Sequence, residues 1–285
     1  MEIGDIVVRK SYGRDVTFKV IDISEKNGEL LYTIKGINLR LIADSPVEDL
    51  EKVDENKLSD NEKGLNRKIN SNIKKIVLNR LDNKGYREYR QKNDNGLSFG
   101  RPGRVLHIDG DKNYLTQCLN LYKQLSIEAY GKVIKEEEQP AQIVALTEEI
   151  RPDIVVLTGH DALIKGTNNY GDINSYKNSK YFIQSVVNLR KYEPDYDDLV
   201  IFAGACQSYY EGILDAGANF ASSPNRVLIH CLDPVFLCEK LAYTSVEKIV
   251  SIKEALENTI TGTKGIGGLQ TRGKYREGYP KSSYF

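Results

Sequence analysis

The apolar positions along this chain change their spacing three times. In residues 1 to about 50 they come in short β-rich runs, Ile6–Arg9, Val16–Ile21, Leu30–Ile34 and Leu39–Ile42. Asn27-Gly28, between the second and third runs, signals a two-residue hairpin, because a type I′ turn requires positive φ. Four or five strands in so short a stretch predict a small SH3-like β-barrel. From 51 to 103, Lys, Asn, Asp and Glu dominate. Ile69, Ile73, Ile76, Val77 and Leu81 keep helical spacing, which predicts one amphipathic helix from about 60 to 82 with Asp60 as its cap. Residues 82–104 lack periodicity and are rich in Gly, Asn, Tyr and Arg, the pattern of an exposed basic linker.

From Arg104 onward, apolar runs alternate with helical patterns. Strands are predicted at Val105–Ile108, Ala129–Val133, Ile154–Leu157, Leu199–Phe202 and Arg226–Leu232. Helices are predicted at about 112–125, 139–150, 179–191, 207–217, 235–243 and 252–260. The runs at Ile154 and Leu199 are continuous, without polar alternation, as in strands buried on both faces of a parallel sheet. The chain therefore divides into a β-barrel (1–50), a helical and basic linker (51–103) and an α/β domain (104–285) whose mostly parallel sheet is covered by helices.

Composition narrows the partners. Lys+Arg and Asp+Glu are both 40, so net charge supplies no drive toward nucleic acid or anionic membrane, and neither is expected as a partner. The sequence shows no long apolar run and no basic-then-apolar leader, so neither a membrane span nor a cleaved export signal is expected. Cys118, Cys206, Cys231 and Cys238 form no CxxC pair and the histidines are scattered. That favours reduced thiols, with no metal site and no cofactor.

Two apolar runs end in reactive residues. One reaches Thr158-Gly159-His160-Asp161, the other Gly204-Ala205-Cys206-Gln207-Ser208. Chemistry in open α/β sheets gathers at the carboxyl ends of the strands, and one strand-helix-strand unit separates the two. Imidazole and thiol would then meet as general base and nucleophile. A helix beginning near Cys206 would lower the thiol pKa. Backbone N–H groups at Gly159, Asp161 and Cys206 are the expected oxyanion donors. Asp161 could orient His160 or simply shape the turn. An Ala-Cys-Gln-Ser turn with a strand-end histidine roughly 50 residues upstream is the constellation described for caspases. The histidines at 107 and 230 read as satisfied core residues, and the other cysteines as packing.

Several stretches together carry a resemblance. They are Val8-Arg9-Lys10-Ser11-Tyr12, Leu41-Ile42-Ala43-Asp44-Ser45-Pro46, Val105-Leu106-His107-Ile108-Asp109-Gly110-Asp111, Thr158-Gly159-His160-Asp161-Ala162, Phe202-Ala203-Gly204-Ala205-Cys206-Gln207-Ser208, Gly217-Ala218-Asn219-Phe220-Ala221-Ser222-Ser223-Pro224 and Lys264-Gly265-Ile266-Gly267-Gly268. On these the chain resembles the YabG family of sporulation-specific proteases and, more distantly, the caspase, gingipain and legumain group. The resemblance implies a caspase-like fold and a cysteine endopeptidase with His160 and Cys206 as its dyad. It also implies cleavage associated with arginine, and spore coat and other spore proteins as substrates. The protein would be made in the cytoplasm of a spore-forming bacterium and become spore-associated. The wider group has glycine directly after its histidine, where this chain has Asp161.

A preference for arginine needs a carboxylate to take the guanidinium fork. Asp233 is the first candidate and Asp109 the second, each at the expected end of a strand, with a helix N-cap as the plainer role for both. Gly265–Gly268 reads as a wall of the cleft or a turn. The exposed arginines of the linker suggest that the enzyme cuts itself there. Two other functions stay open: a binding module with an inert α/β domain, and a thiol amidase on a flavodoxin-like sheet.

Overall fold

The computed structural model describes residues 1–26, 28–53, 60–93 and 97–282, with backbone alone at 60–62 and 81–93. The amino-terminal strands are β1 (Ile6–Arg9), β2 (Thr17–Lys26), β3 (Glu29–Gly36), β4 (Ile42–Pro46) and β5 (Leu50–Lys52). They pair antiparallel in the order β4-β3-β2-β1-β5. Alternate residues turn inward, so Val7, Phe18, Val20, Tyr32, Ile34 and Leu50 form a core of their own. β2 and β3 pair out to Lys26 and Glu29. That leaves a two-residue turn whose Gly28 has φ of 80°, while Asn27 lies outside the described residues. β4 and β5 are the outer strands, and a ladder between them, which would close a barrel, is not among those formed by the described residues.

The next helix is longer than its periodicity suggests. α1 runs from Asp60 to Asn93. Its Ile69, Ile73 and Ile76 pack on the second core, and Arg80 is docked rather than solvated. The Arg80 guanidinium reaches Glu239 (2.7 Å), donates to the Leu125 carbonyl (2.5 Å) and lies 3.4 Å from the Tyr243 ring centre. Past the helix, β6 (Phe99–Arg101) pairs with the carboxyl-terminal strand β15 (Arg276–Gly278). Most of the expected linker is therefore regular structure. Lys, Arg, Gln and Glu are good helix formers and proline is missing from 60–93, so weak periodicity did not prevent a helix.

The main sheet contains β7 (Val105–Asp109), β8 (Ala129–Val133), β9 (Ile154–Thr158), β10 (Val200–Ala203), β11 (Phe220–Ser222) and β13 (Ile266–Gly268). Their order is β8-β7-β9-β10-β11-β13, parallel except for β13. Successive residues point to opposite faces, and both faces are covered. Val105, Ile154, Val156, Val200 and Phe202 meet α1, α2 (Lys112–Gln124) and α6 (Asp233–Tyr243). Leu106, Ile108, Val155, Leu157 and Ile201 meet α3 (Gln139–Ile150), α4 (Ser179–Tyr192) and α5 (Tyr210–Asp215). Double coverage is why these strands read as unbroken apolar runs, each such side chain contributing about 1.5–3 kcal/mol on burial. Two short strands, β12 (Ile249–Val250) and β14 (Thr271–Arg272), pair beside α7 (Ile252–Ala255).

One expected strand is absent. Residues 226–232 form no ladder, and a single antiparallel bridge joins His230 to Leu39 of the amino-terminal unit. The place beside β11 is taken by β13 instead. Gly268 permits this: a Cβ there would sit 2.2 Å from the Asn219 carbonyl oxygen, so only glycine lets the strands approach. The Gly265–Gly268 stretch is thus the sheet's edge strand and its approach rather than a turn.

Candidate active site

Register brings the two reactive residues together. Leu157 of β9 lies opposite Ala203 of β10, and His160 and Cys206 each follow three residues beyond that pair. Both line one cavity of about 320 Å³, shared with Arg40, Leu41, Asp161 and Leu228. The Cys206 turn is sharply bent. Gly204 has φ of 109° and Gln207 has φ of 56°, an uncommon value for a residue with a side chain. Gln207 is held there because its N–H donates to Ser223 Oγ at 3.1 Å. The helix expected from residue 207 begins only at Tyr210, so the thiol gains no helix terminus.

Asp161 is the keystone between the two turns. Its buried carboxylate accepts from Asn178 N–H (2.7 Å), Ala162 N–H (2.9 Å), Ser179 Oγ (2.5 Å) and Ser208 Oγ (2.9 Å). Ser208 Oγ in turn accepts from Ala205 N–H (2.8 Å), next to Cys206. Asp161 therefore ties the histidine turn to the cysteine turn, and its four partners leave it no contact with the imidazole. Burial raises its carboxyl pKa, against the pull of those donors.

A different aspartate orients His160. Asp111 Oδ2 lies 2.9 Å from His160 Nε2. The same oxygen takes Lys35 Nζ at 2.5 Å, and Asp111 Oδ1 caps α2 by accepting from Asn113 N–H at 2.9 Å. Burial alone would raise the Asp111 carboxyl, but His160 and Lys35 hold it well below the usual range. With Nε2–H facing Asp111, Nδ1 is the ring nitrogen left for the cleft. Asp111 is not among the site residues that the sequence suggests. The available signal was its position two residues beyond Asp109, at the end of a strand two registers from the cysteine.

On the oxyanion side, Gly159 is packed against Glu136, whose Oε1 lies 2.1 Å from where a glycine Cβ would stand. Glu136 also accepts the His160 N–H at 2.6 Å. A carboxylate at that spot repels a developing oxyanion, so the geometry disfavours Gly159 as a donor.

Cys206 is buried to 1 % exposure. Burial pushes its thiol up to about 11, opposed by the Ile229 N–H (3.2 Å from Sγ) and by the charge and backbone of Arg40. Cys118, Cys231 and Cys238 are also buried and reduced, and burial carries Cys231 and Cys238 to about 12. His107 is satisfied in the core by Tyr122 OH (3.2 Å) and Thr158 Oγ1 (2.9 Å). His230 Nδ1 accepts from Leu232 N–H at 3.1 Å, whereas its buried Nε2 finds no partner.

The two pocket candidates have different surroundings. Asp233 opens α6 rather than ending a strand, and its carboxylate accepts from Ile260 N–H (2.5 Å) and Thr261 N–H (3.2 Å). It pins the helix to the chain beyond α7 and presents no free oxygen to a ligand. Asp109 ends β7, is fully buried, and lies 2.6 Å from Nη1 of Arg40. Burial would raise its carboxyl, yet the Arg40 charge and His107 bring it below normal. Among the described residues no cluster of His, Cys, Asp or Glu could hold a metal, and no helix is long and apolar enough to cross a membrane.

A half-buried imidazole and a buried thiol that line one cavity at the carboxyl edge of a parallel sheet suit a hydrolytic enzyme, and the comparisons make the class a peptidase. A family model described as YabG peptidase U57 matches residues 2–280, and the chain belongs to that family. It is 43 % identical over 289 residues to the sporulation-specific protease YabG of Bacillus subtilis (strain 168), covering 99 % of both chains. The protein is thus a sporulation-associated peptidase.

Proposed function

We propose that this peptidase is a cysteine endopeptidase that cleaves after arginine, with His160 and Cys206 as its dyad. The observation that supports the reading is the shared register of β9 and β10, with His160 and Cys206 each three residues beyond the last pair and both lining one cavity. His160 Nδ1 takes the proton from Cys206 Sγ while Asp111 holds the Nε2–H tautomer. The thiolate adds to the scissile carbonyl, and the backbone N–H groups of Asp161 and Cys206 receive the oxyanion. The C–N bond breaks as the imidazolium gives its proton to the leaving amine, leaving a thioester. A water, deprotonated by His160, then releases the acid and restores the thiol.

Of the two carboxylates weighed for the arginine pocket, Asp109 is the one supported. It lies at the sheet edge beside the dyad and already holds a guanidinium. The order β8-β7-β9-β10-β11 with an antiparallel β13 supports a caspase-like arrangement. The family resemblance points to spore coat and other spore proteins as substrates, and self-processing fits a chain that carries its own arginines. Incubating wild-type, Cys206→Ala and His160→Ala proteins with arginine-containing peptides, and sequencing the new ends, tests the reading. Cleavage after arginine by the wild type alone is expected. Equal cleavage by Cys206→Ala would overturn it.

A further inference from the structure

Arg40 belongs to the amino-terminal unit, yet its side chain is buried against the main sheet and lines the cavity that His160 and Cys206 share. It is 1 % exposed, the guanidinium contacts Asp109 at 2.6 Å, and it lies 5.1 Å from the Tyr114 ring centre. The backbone around it is held as a peptide ligand would be. Asn38 C=O accepts from Cys231 N–H at 2.9 Å, and Leu39 bridges antiparallel to His230. Tyr114 OH donates to the carbonyls of Leu39 (2.7 Å) and Gly36 (2.5 Å). Arg40 itself acts on the Cys206 thiol through both its charge and its backbone. Main-chain bonding to a neighbouring stretch, with a side chain seated in a pocket beside it, is the kind of contact by which β-strand addition recognises peptides.

Two features mark this arginine as an occupant rather than a core residue. Nε and Nη2 are buried with no acceptor, although a guanidinium built into a core has its fork satisfied. The stretch 227–231 has no strand of the main sheet beside it: its Ile229 and His230 N–H groups go to Cys206 Sγ and Thr261 Oγ1, and its Cys231 N–H is taken by the Asn38 carbonyl, so the Arg40 segment occupies a place that no sheet strand fills. The chain at Arg40 is also kinked. Leu41 N–H donates to Leu39 C=O and Gly36 N–H to Leu41 C=O, both at 2.8 Å. The bond after Arg40 is therefore locked inside a tight loop between β3 and β4 instead of being presented in extended form.

We infer that Arg40 fills, in the resting chain, the pocket that receives a substrate's arginine, so that residues 38–41 hold the peptidase shut. This rests on the arginine-cleaving reading above. A tethered occupant acts at high effective concentration, so an outside arginine must displace it, and its apparent affinity falls by the fraction of open protein.

Two measurements test this. The first is thermal melting of Cys206→Ala and of Arg40→Ala/Cys206→Ala in the presence of propylguanidinium, an arginine side-chain analogue. The double variant should be stabilised and the single variant should not. Equal shifts, or none in either, overturn the inference. The second is hydrolysis of an arginyl peptide by wild type, Arg40→Ala and Arg40→Lys. The lysine variant keeps a charge opposite Asp109, so it covers the case in which Arg40→Ala does not fold. KM should fall roughly 10- to 100-fold in Arg40→Ala and by a smaller factor in Arg40→Lys. Unchanged KM in every folded variant overturns the inference while leaving the arginine-cleaving reading intact. If none of the proteins cleaves arginyl peptides, that reading fails, and the melting experiment still decides whether Arg40 fills a guanidinium site.

Discussion

At the scale of single residues, a thiol buried as Cys206 is stays protonated at neutral pH, and its reactivity reports how closed the site is. With a pKa pushed up to about 11 by burial, thiolate is scarce at pH 7 and rises about tenfold with each unit. Iodoacetamide labelling of resting protein, followed by mass spectrometry at Cys206, should climb steadily from pH 7 to beyond 10. A plateau near pH 8 would show the thiol to be far less buried. Asp111 offers a second test. Asn caps a helix about as well as Asp, so Asp111→Asn should keep α2, while the melting temperature falls because Lys35 loses its partner carboxylate. It loses the charge that fixes the His160 tautomer, and kcat should fall by about 10²- to 10⁴-fold. A full-rate Asp111→Asn enzyme would remove Asp111 from the mechanism.

At the scale of elements, the site depends on how β10 and β11 are held. β11 is only Phe220–Ser222, and its outer neighbour is the glycine strand β13. A methyl at Gly268 would drive into the Asn219 carbonyl. Gly268→Ala should cost about 1–3 kcal/mol from overpacking, read by urea denaturation. It should also lower activity, since Ser223, just beyond β11, receives the Gln207 N–H that shapes the cysteine turn. Unaltered stability would mean that β13 is not seated where its register places it.

At the scale of the whole molecule, the amino-terminal unit is part of the site rather than an appendage. It supplies Lys35 to Asp111 and Arg40 to Asp109, two cations for the two carboxylates at the end of β7. The long helix after it bears on self-processing. Residues 87 and 90 are helical in backbone, and a peptidase that binds extended chain must unwind them first. Active protein stored alongside Cys206→Ala should therefore keep residues 60–93 intact by mass spectrometry. Early cleavage after Arg87 or Arg90 in the active protein alone would show that α1 opens readily.

Local chemistry in the chain was enough to announce the parallel strands β7, β8, β9 and β10 but not the short β11, along with the hairpin around Gly28 and His160 and Cys206 at matching strand ends. Continuous β-branched runs and glycine turns encode those features over a few residues. Contacts between distant segments were beyond such reading. Asp161 ties two turns together, Asp111 takes the imidazole, and Asp233 is consumed by backbone N–H groups because of how loops meet in space. The strand expected at 226–232 lost its place to β13 for the same reason: sheet neighbours are chosen by competition among segments, not by propensity alone. Arg40 reads as an ordinary residue within the short β run Leu39–Ile42, and only the docking of one unit against the other sets its charge beside Asp109.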